Sequence, residues 1–249
     1  MSAETAAEAV HAPAEVAGRF VAALAARDEA SLRELLAADA TWVRPGKPDC
    51  VGTDAVFTAF RVTADKVQQD GPLRVTRGSE VAWPSREGGA ENDPGRARVD
   101  IIDVNGDGRV QTWTTVSDDR SEAAQASGAP ARRQALAQYV ERVGRADAEA
   151  TLLLYSGECD VEDPVGTPVH RGRAAVETFY RGGLSAITGT SPLSAAVVSG
   201  NVGAIAFRVE LALPDRAIAI EVIDVMTFDD DHLFTSMRAF WGRVNRLAR

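Results

Sequence analysis

Apolar residues recur along this chain with two different periods, and the switch between them outlines its elements. In the second half Leu136, Tyr139, Val140 and Val143 fall at i, i+3, i+4 and i+7, one face of a helix. Gly144 suits the end of that helix, and Asp147 is a good N-cap for a second one carrying Leu152, Leu153 and Tyr155. A third helix is expected after Gly172. Past a loop holding Thr188, Gly189 and Ser191 the period falls to two, which predicts strands at 195–199, 205–213, 218–228 and 234–242. Gly200-Asn201, Pro214-Asp215 and Asp229-Asp230-Asp231 are short enough to turn hairpins. Three helices followed by an antiparallel meander make an α+β unit.

The same order is written twice. Phe20 to Ala30 lies over Tyr139 to Glu149, with Val21 over Val140 and Asp28 over Asp147. Pro45 then lies over Pro164, Arg44 over Asp163, and Gly52 over Gly172. Near the ends, the turn after Val104 lies over the turn after Phe228. The expected domains are 1–116 and 131–249, joined by a linker at 117–130 that is rich in small and polar residues and broken by Gly128 and Pro130.

One strand carries the first chemical signal. Ile218, Ile220, Val222, Asp224, Met226 and Phe228 occupy alternate positions and therefore share a face. A carboxyl group in an apolar row is pushed toward its neutral form, which can donate a hydrogen bond. Alternatively, Asp224 points to water at a frayed edge or pairs with an arginine.

Composition removes several classes of function. A net charge of −9 argues against a nucleic-acid partner and against anionic membranes, and no run of apolar residues is long enough to span a bilayer. The acidic N-terminus is unlike a signal peptide, so a cytoplasmic location is expected. Cys50 and Cys159 lack metal-ligand spacing and are expected as reduced thiols. His170 and His232 lie in polar connections and are expected to be solvated. Neither a metal nor a cofactor is expected.

Five ordered pieces then resemble a known family: Glu162 to Gly166, Phe179 to Arg181, Phe207 to Glu210, Val222 to Met226 and Met237 to Trp241. They are similar to the bacterial ketosteroid (steroid Δ5) isomerases of the nuclear transport factor 2-like, SnoaL-like superfamily. The resemblance spans essentially all of 131–249. It implies two tandem cystatin-like, cone-shaped α+β barrels, each of three helices packed on a curved antiparallel sheet, with an apolar pocket for a steroid or polyketide.

By the same resemblance Asp163 is the general base and Tyr139 and Asp224 are the oxyanion-hole donors. Ketosteroid isomerase is itself a standard example of a carboxylic acid kept neutral to donate a hydrogen bond, so its agreement with the strand pattern is a consistency check. Tyr155 and Tyr180 match tyrosines that form a hydrogen-bonded chain behind the first donor, and Phe207, Met237 and Trp241 match pocket-lining positions. Tyr155 and Phe207 suit plain core packing equally well.

The first half lacks this chemistry. Phe20, Leu36 and Phe60 stand where the second half has its three tyrosines, and Arg44 stands at the base position. Asp100 aligns with Asp224, and a contact between Arg44 and Asp100 is expected to close that pocket. Family members usually pair as homodimers, so the two halves are expected to form an intramolecular pseudo-dimer, with further pairing of whole chains left open. Three functions compete. One is isomerisation of a β,γ-unsaturated ketone. Another is polyketide epoxide opening, as in tandem epoxide hydrolase/cyclases of the lasalocid type. The third is small-molecule binding without catalysis.

Overall fold

The computed structural model describes residues 3–63, 67–88 and 95–248. It divides into two compact units, Met1–Asp118 and Asp119–Arg249. In unit 1 the helices α1 (Ala3–Ala26) and α2 (Glu29–Leu35) lead into β1 (Leu36–Val43). Then follow β2 (Cys50–Val51), α3 (Thr53–Thr63), β3 (Val67–Gln69), β4 (Arg74–Val75), β5 (Glu80–Glu87), β6 (Arg96–Val104) and β7 (Val110–Ser117). Unit 2 begins with α4 (Glu122–Ala126), α5 (Ala129–Gly144) and α6 (Ala148–Leu152). It continues through β8 (Tyr155–Glu162), β9 (His170–Arg171), α7 (Arg173–Gly183) and β10 (Ile187–Pro192). Its last strands are β11 (Val197–Ser199), β12 (Val202–Ala212), β13 (Ala217–Phe228), β14 (Phe234–Phe240) and β15 (Arg246–Ala248).

The two sheets have one topology. Unit 1 reads β2-β1-β7-β6-β5-β3 and unit 2, taken from the same side, β9-β8-β14-β13-β12-β10. The local devices repeat as well. Asp28 caps α2 by accepting from the backbone N–H of Ala30 and Ser31, and Asp147 caps α6 by accepting from Ala150. Gly52 and Gly172 both adopt positive φ, and their N–H groups bond to Ala40 and Cys159 at 2.9 Å.

Each sheet is mixed rather than an antiparallel meander alone, because β1 pairs with β7, and β8 with β14, in parallel. The second helix stops at Leu152, and Tyr155 opens β8 instead of lying on that helix. The segment expected as a loop around Thr188 is β10, a polar edge strand paired with β12. Residues 117–130 hold the end of β7, all of α4 and the first residues of α5. Ser121 caps α4, and Ala124 packs on the unit 2 core. Strand β15 pairs with β13 at Ile218–Ile220, beyond the stretch of β13 bordered by β14.

No helix among the described residues is long and apolar enough to cross a membrane. No group of histidine, cysteine or acidic residues suited to a metal occurs among them. Both cysteines are free thiols. His232, expected to be solvated, is half-buried with its ring against Gly128. A Cβ on Gly128 would lie 2.1 Å from that ring.

Candidate active site

The site of unit 2 is built where α5 crosses the sheet. The apolar face read from the sequence is buried, and it places Tyr139 inward. Asp224 on β13 is 2% exposed, with Ile205 and Ala239 opposite it on the flanking strands. The Tyr139 hydroxyl donates to Asp224 Oδ2 at 3.0 Å, while Oδ1 is buried and has no hydrogen-bond partner among the described residues. A buried carboxyl with one oxygen unsatisfied is costly as an anion. Burial pushes the Asp224 carboxyl well above the usual carboxylate range, the charge of Asp163 adds to the rise, and the Tyr139 hydrogen bond opposes it. The arrangement favours the neutral acid.

Behind Tyr139 runs a chain of hydroxyls. Tyr180 donates to Tyr139 at 3.3 Å, and Tyr155 lies 2.5 Å from Tyr180. A phenol has one proton to give. With Tyr139 donating to Asp224 and Tyr180 to Tyr139, Tyr155 must donate to Tyr180, so all three bonds point toward Asp224. Burial raises the pKa of each of the three hydroxyls well above its ordinary value. Phe207 and Phe234 meet the Tyr139 ring edge to face, at 6.2 and 5.9 Å between centroids. Phe207 and Met237, expected on the pocket wall, are both 1% exposed within the core.

Asp163 follows β8 in a turn fixed from several sides. The Val165 N–H bonds to the Ala239 carbonyl at 2.9 Å, and Glu162 accepts from the Gly166 N–H and the Arg238 guanidinium. The Trp241 indole donates to Asp163 Oδ1 at 2.6 Å. Asp163 is half-buried, and burial lifts its carboxyl to about 6, against the lowering pulls of the Trp241 hydrogen bond and of His170. His170 is half-buried with its ring 4.9 Å from Phe179, not fully solvated as its polar segment predicted. The sequence places Trp241 at the pocket wall and does not show its bond to Asp163. That bond joins residues on separate strand ends, and no local pattern encodes it.

In unit 1 the equivalent space is filled. Trp42 stacks on Trp113 with centroids 4.3 Å apart, and Phe20 and Phe60 pack against the same indole. Asp100 is fully buried, as expected of the partner of Asp224, but Arg44 is not its counter-ion. Arg98 is: its Nε donates to Asp100 Oδ2 at 2.9 Å, and a terminal nitrogen bonds to Oδ1. Trp113, Thr115 and Ser85 also donate to Asp100. Arg98 and Asp100 are two residues apart on β6 and so share a face. Arg44 follows the end of β1, where its guanidinium lies over Trp42 and bonds to Pro48 O and Cys50 Sγ. The expected Arg44–Asp100 contact is therefore wrong.

Helices packed on a mixed sheet of one topology, repeated in tandem, define a protein of the nuclear transport factor 2-like class. Residues 136–237 match the family model described as a SnoaL-like domain. A steroid Δ-isomerase of Nocardioides simplex is 42% identical over 110 residues, 44% of this chain and 89% of that protein. The epoxide hydrolase LasB of Streptomyces lasalocidi is 29% identical over 258 residues, 92% of this chain and 82% of that protein. A solved structure is of the epoxide hydrolase/cyclase-like enzyme SalBIII, described in pyran ring formation in the polyether salinomycin. It aligns with a TM-score of 0.46 and 27% identity over 49% of this chain and 99% of its own. The chain belongs to the SnoaL-like family of this superfamily, as a tandem of two such domains, and its relatives are enzymes.

Proposed function

We propose that unit 2 is an isomerase that shifts a carbon–carbon double bond into conjugation with a ketone. The observation that carries this reading is the pairing of a neutral Asp224, bonded to Tyr139 and with Oδ1 unpartnered, with an Asp163 whose pKa of about 6 leaves it ionised at neutral pH. Asp163 removes the proton from the carbon between the carbonyl and the double bond. The electron pair moves onto the carbonyl oxygen, giving a dienolate. Asp224, and Tyr139 once its hydroxyl turns from Asp224 Oδ2 to that oxygen, stabilise the negative charge as it develops, the kind of preorganised donation that contributes most to such reactions. Protonated Asp163 then returns the proton to the far carbon of the original double bond, and the conjugated enone leaves with no net change in the enzyme. Trp241 orients the base, and Tyr180 and Tyr155 polarise Tyr139. Unit 1, with Arg44 at the base position and Asp100 neutralised by Arg98, is a supporting domain in this reading.

The test is the growth of conjugated-enone absorbance when 5-androstene-3,17-dione is added to wild type, Asp163→Asn and Tyr139→Phe. A wild type without activity would remove the ketone-isomerase reading. An unchanged rate in Asp163→Asn would remove the mechanism.

A second reading draws on the same two carboxyls and on the relative that spans most of the chain. Asp224 as a neutral acid can protonate an epoxide oxygen while ionised Asp163 takes the proton of an internal hydroxyl, closing a cyclic ether. Cyclisation leaves the mass of a hydroxy-epoxide unchanged, so the assay is NMR of the product. Ether formation by wild type and not by Asp224→Asn supports this reading over the first.

A further inference from the structure

The inner face of β13 ends in a cation that the proposed chemistry does not use. In an antiparallel pair, residues directly opposite each other share a face. Arg246 of β15 is opposite Ile220, so it projects on the face that carries Val222 and Asp224. Four residues of strand separate Ile220 from Asp224, about 13 Å. Between them the flanking positions hold Phe207, opposite Val222, and Trp241, just past the end of β14.

The Arg246 guanidinium lies over the Trp241 ring, 5.2 Å from its centroid, on the indole whose nitrogen holds Asp163. The Arg246 side chain is exposed, and its guanidinium makes no hydrogen bond or salt bridge among the described residues. Arg208, Arg181 and Arg238 of the same unit have acidic partners. With 36 acidic residues against 27 basic ones in the chain, a lack of available acids does not explain it. On the row that Arg246 shares, Ile220 and Val209 are its neighbours across the sheet.

We infer that Arg246 anchors a carboxylate at the far end of the substrate. This rests on the reading of the site as one that binds a ketone at Asp224 and Tyr139. The substrate class is then an apolar, elongated or fused-ring ketone with a carboxylate at the end remote from the reacting oxygen. The guanidinium fork suits a planar carboxylate, and its place over an aromatic ring holds it in one orientation.

The test uses 3-oxoandrost-4-ene-17β-carboxylate and its methyl ester, two product-like ligands that differ in charge at the remote end. Binding to wild type, Arg246→Gln and Arg246→Lys is measured by titration calorimetry. Wild type is expected to bind the acid roughly tenfold or more tighter than the ester, as one charge-assisted hydrogen bond provides. Arg246→Gln should lose that preference while binding the ester as before, and Arg246→Lys should keep part of it. Equal binding of acid and ester by wild type, or a preference that survives in Arg246→Gln, overturns the inference and leaves the ketone site standing. If neither compound binds, the ketone reading fails and the inference fails with it.

Discussion

Asp100 and Asp224 hold the same register position in their two sheets, between Trp83 and Thr115 in one and between Ile205 and Ala239 in the other. Arg98, Ser85, Trp113 and Thr115 all donate to Asp100. The residues in their places around Asp224 are Val222, Phe207, Met237 and Ala239, which have no side-chain donor. The same carboxyl is thus a paired structural anion in one unit and a candidate acid in the other, and its neighbours make the difference.

Stability should separate the two aspartates. Asp100→Asn leaves Arg98 buried without its counter-ion and should cost about 3–5 kcal/mol in unit 1. Asp224→Asn removes a buried acid with one hydrogen bond and should change stability by about 1 kcal/mol or less. Urea unfolding followed by tryptophan emission is weighted toward unit 1, which holds Trp42, Trp83 and Trp113 against Trp241 alone in unit 2, and far-ultraviolet circular dichroism reports both units. Similar losses in the two variants would contradict the contrast.

The pH–rate profile should have a lower limb near 6. Asp163 must be ionised to take a proton, so kcat/KM is expected to rise through about pH 6. At higher pH it should fall as Asp224 loses the proton it donates, since the Asp224 pKa lies well above the usual range. The Trp241 hydrogen bond lowers the Asp163 pKa, so Trp241→Phe should move the lower limb to higher pH. A limb that stays in place would show that the indole does not set the base.

The same shift appears in stability. Asp163 titrates at about 6 in the folded chain against an ordinary 3.8, so between these values the folded form binds more protons than the unfolded one. Stability from this group is therefore full below about pH 4 and is lost as pH rises toward 6. Asp163→Asn should show a smaller decline in Tm than wild type over that window in a thermal melt series. Parallel curves for the two proteins would refute the burial account of the shift.

Deleting the hydroxyls in turn should give graded rate losses. Tyr139→Phe removes an oxyanion donor and should lower kcat about 10²- to 10³-fold. Tyr180→Phe and Tyr155→Phe act only through Tyr139 and should cost less, with Tyr155, two links away, costing least. Steady-state kinetics of the three variants checks the order, and a Tyr155→Phe loss equal to that of Tyr139→Phe would rule out a relay of this polarity.

Much of the site could be read from the sequence because it is carried by period. The alternation through Asp224 put a carboxyl on an apolar face, and the helical spacing through Tyr139 turned that residue toward the same core. Asp147 announced its cap, and Asp28, aligned with it, makes the same one. The same rule of two puts Arg98 and Asp100 on one face of β6, whereas the alignment of the two halves points to Arg44 because it stands opposite Asp163. A long arginine after a strand end can turn several ways, and here it turned onto Trp42. β10 was hidden because an edge strand of Thr, Gly, Ser and Pro carries little apolar signal. The Trp241–Asp163 bond depends on the parallel pairing of β8 with β14, which no local pattern predicts.

The excursion that carries Trp241 leaves the sheet at the end of β14 and re-enters it at β15, and both strands are bonded to β13. Anchored at both ends to one strand, it is a loop whose closure is completed in folding. The indole therefore faces Asp163 before any ligand arrives, and binding need not supply the entropy of orienting the base. A carboxylate held this way is rigid rather than recruited, so under the proposed chemistry substrate variety would be accommodated elsewhere, at the Arg246 end of the face.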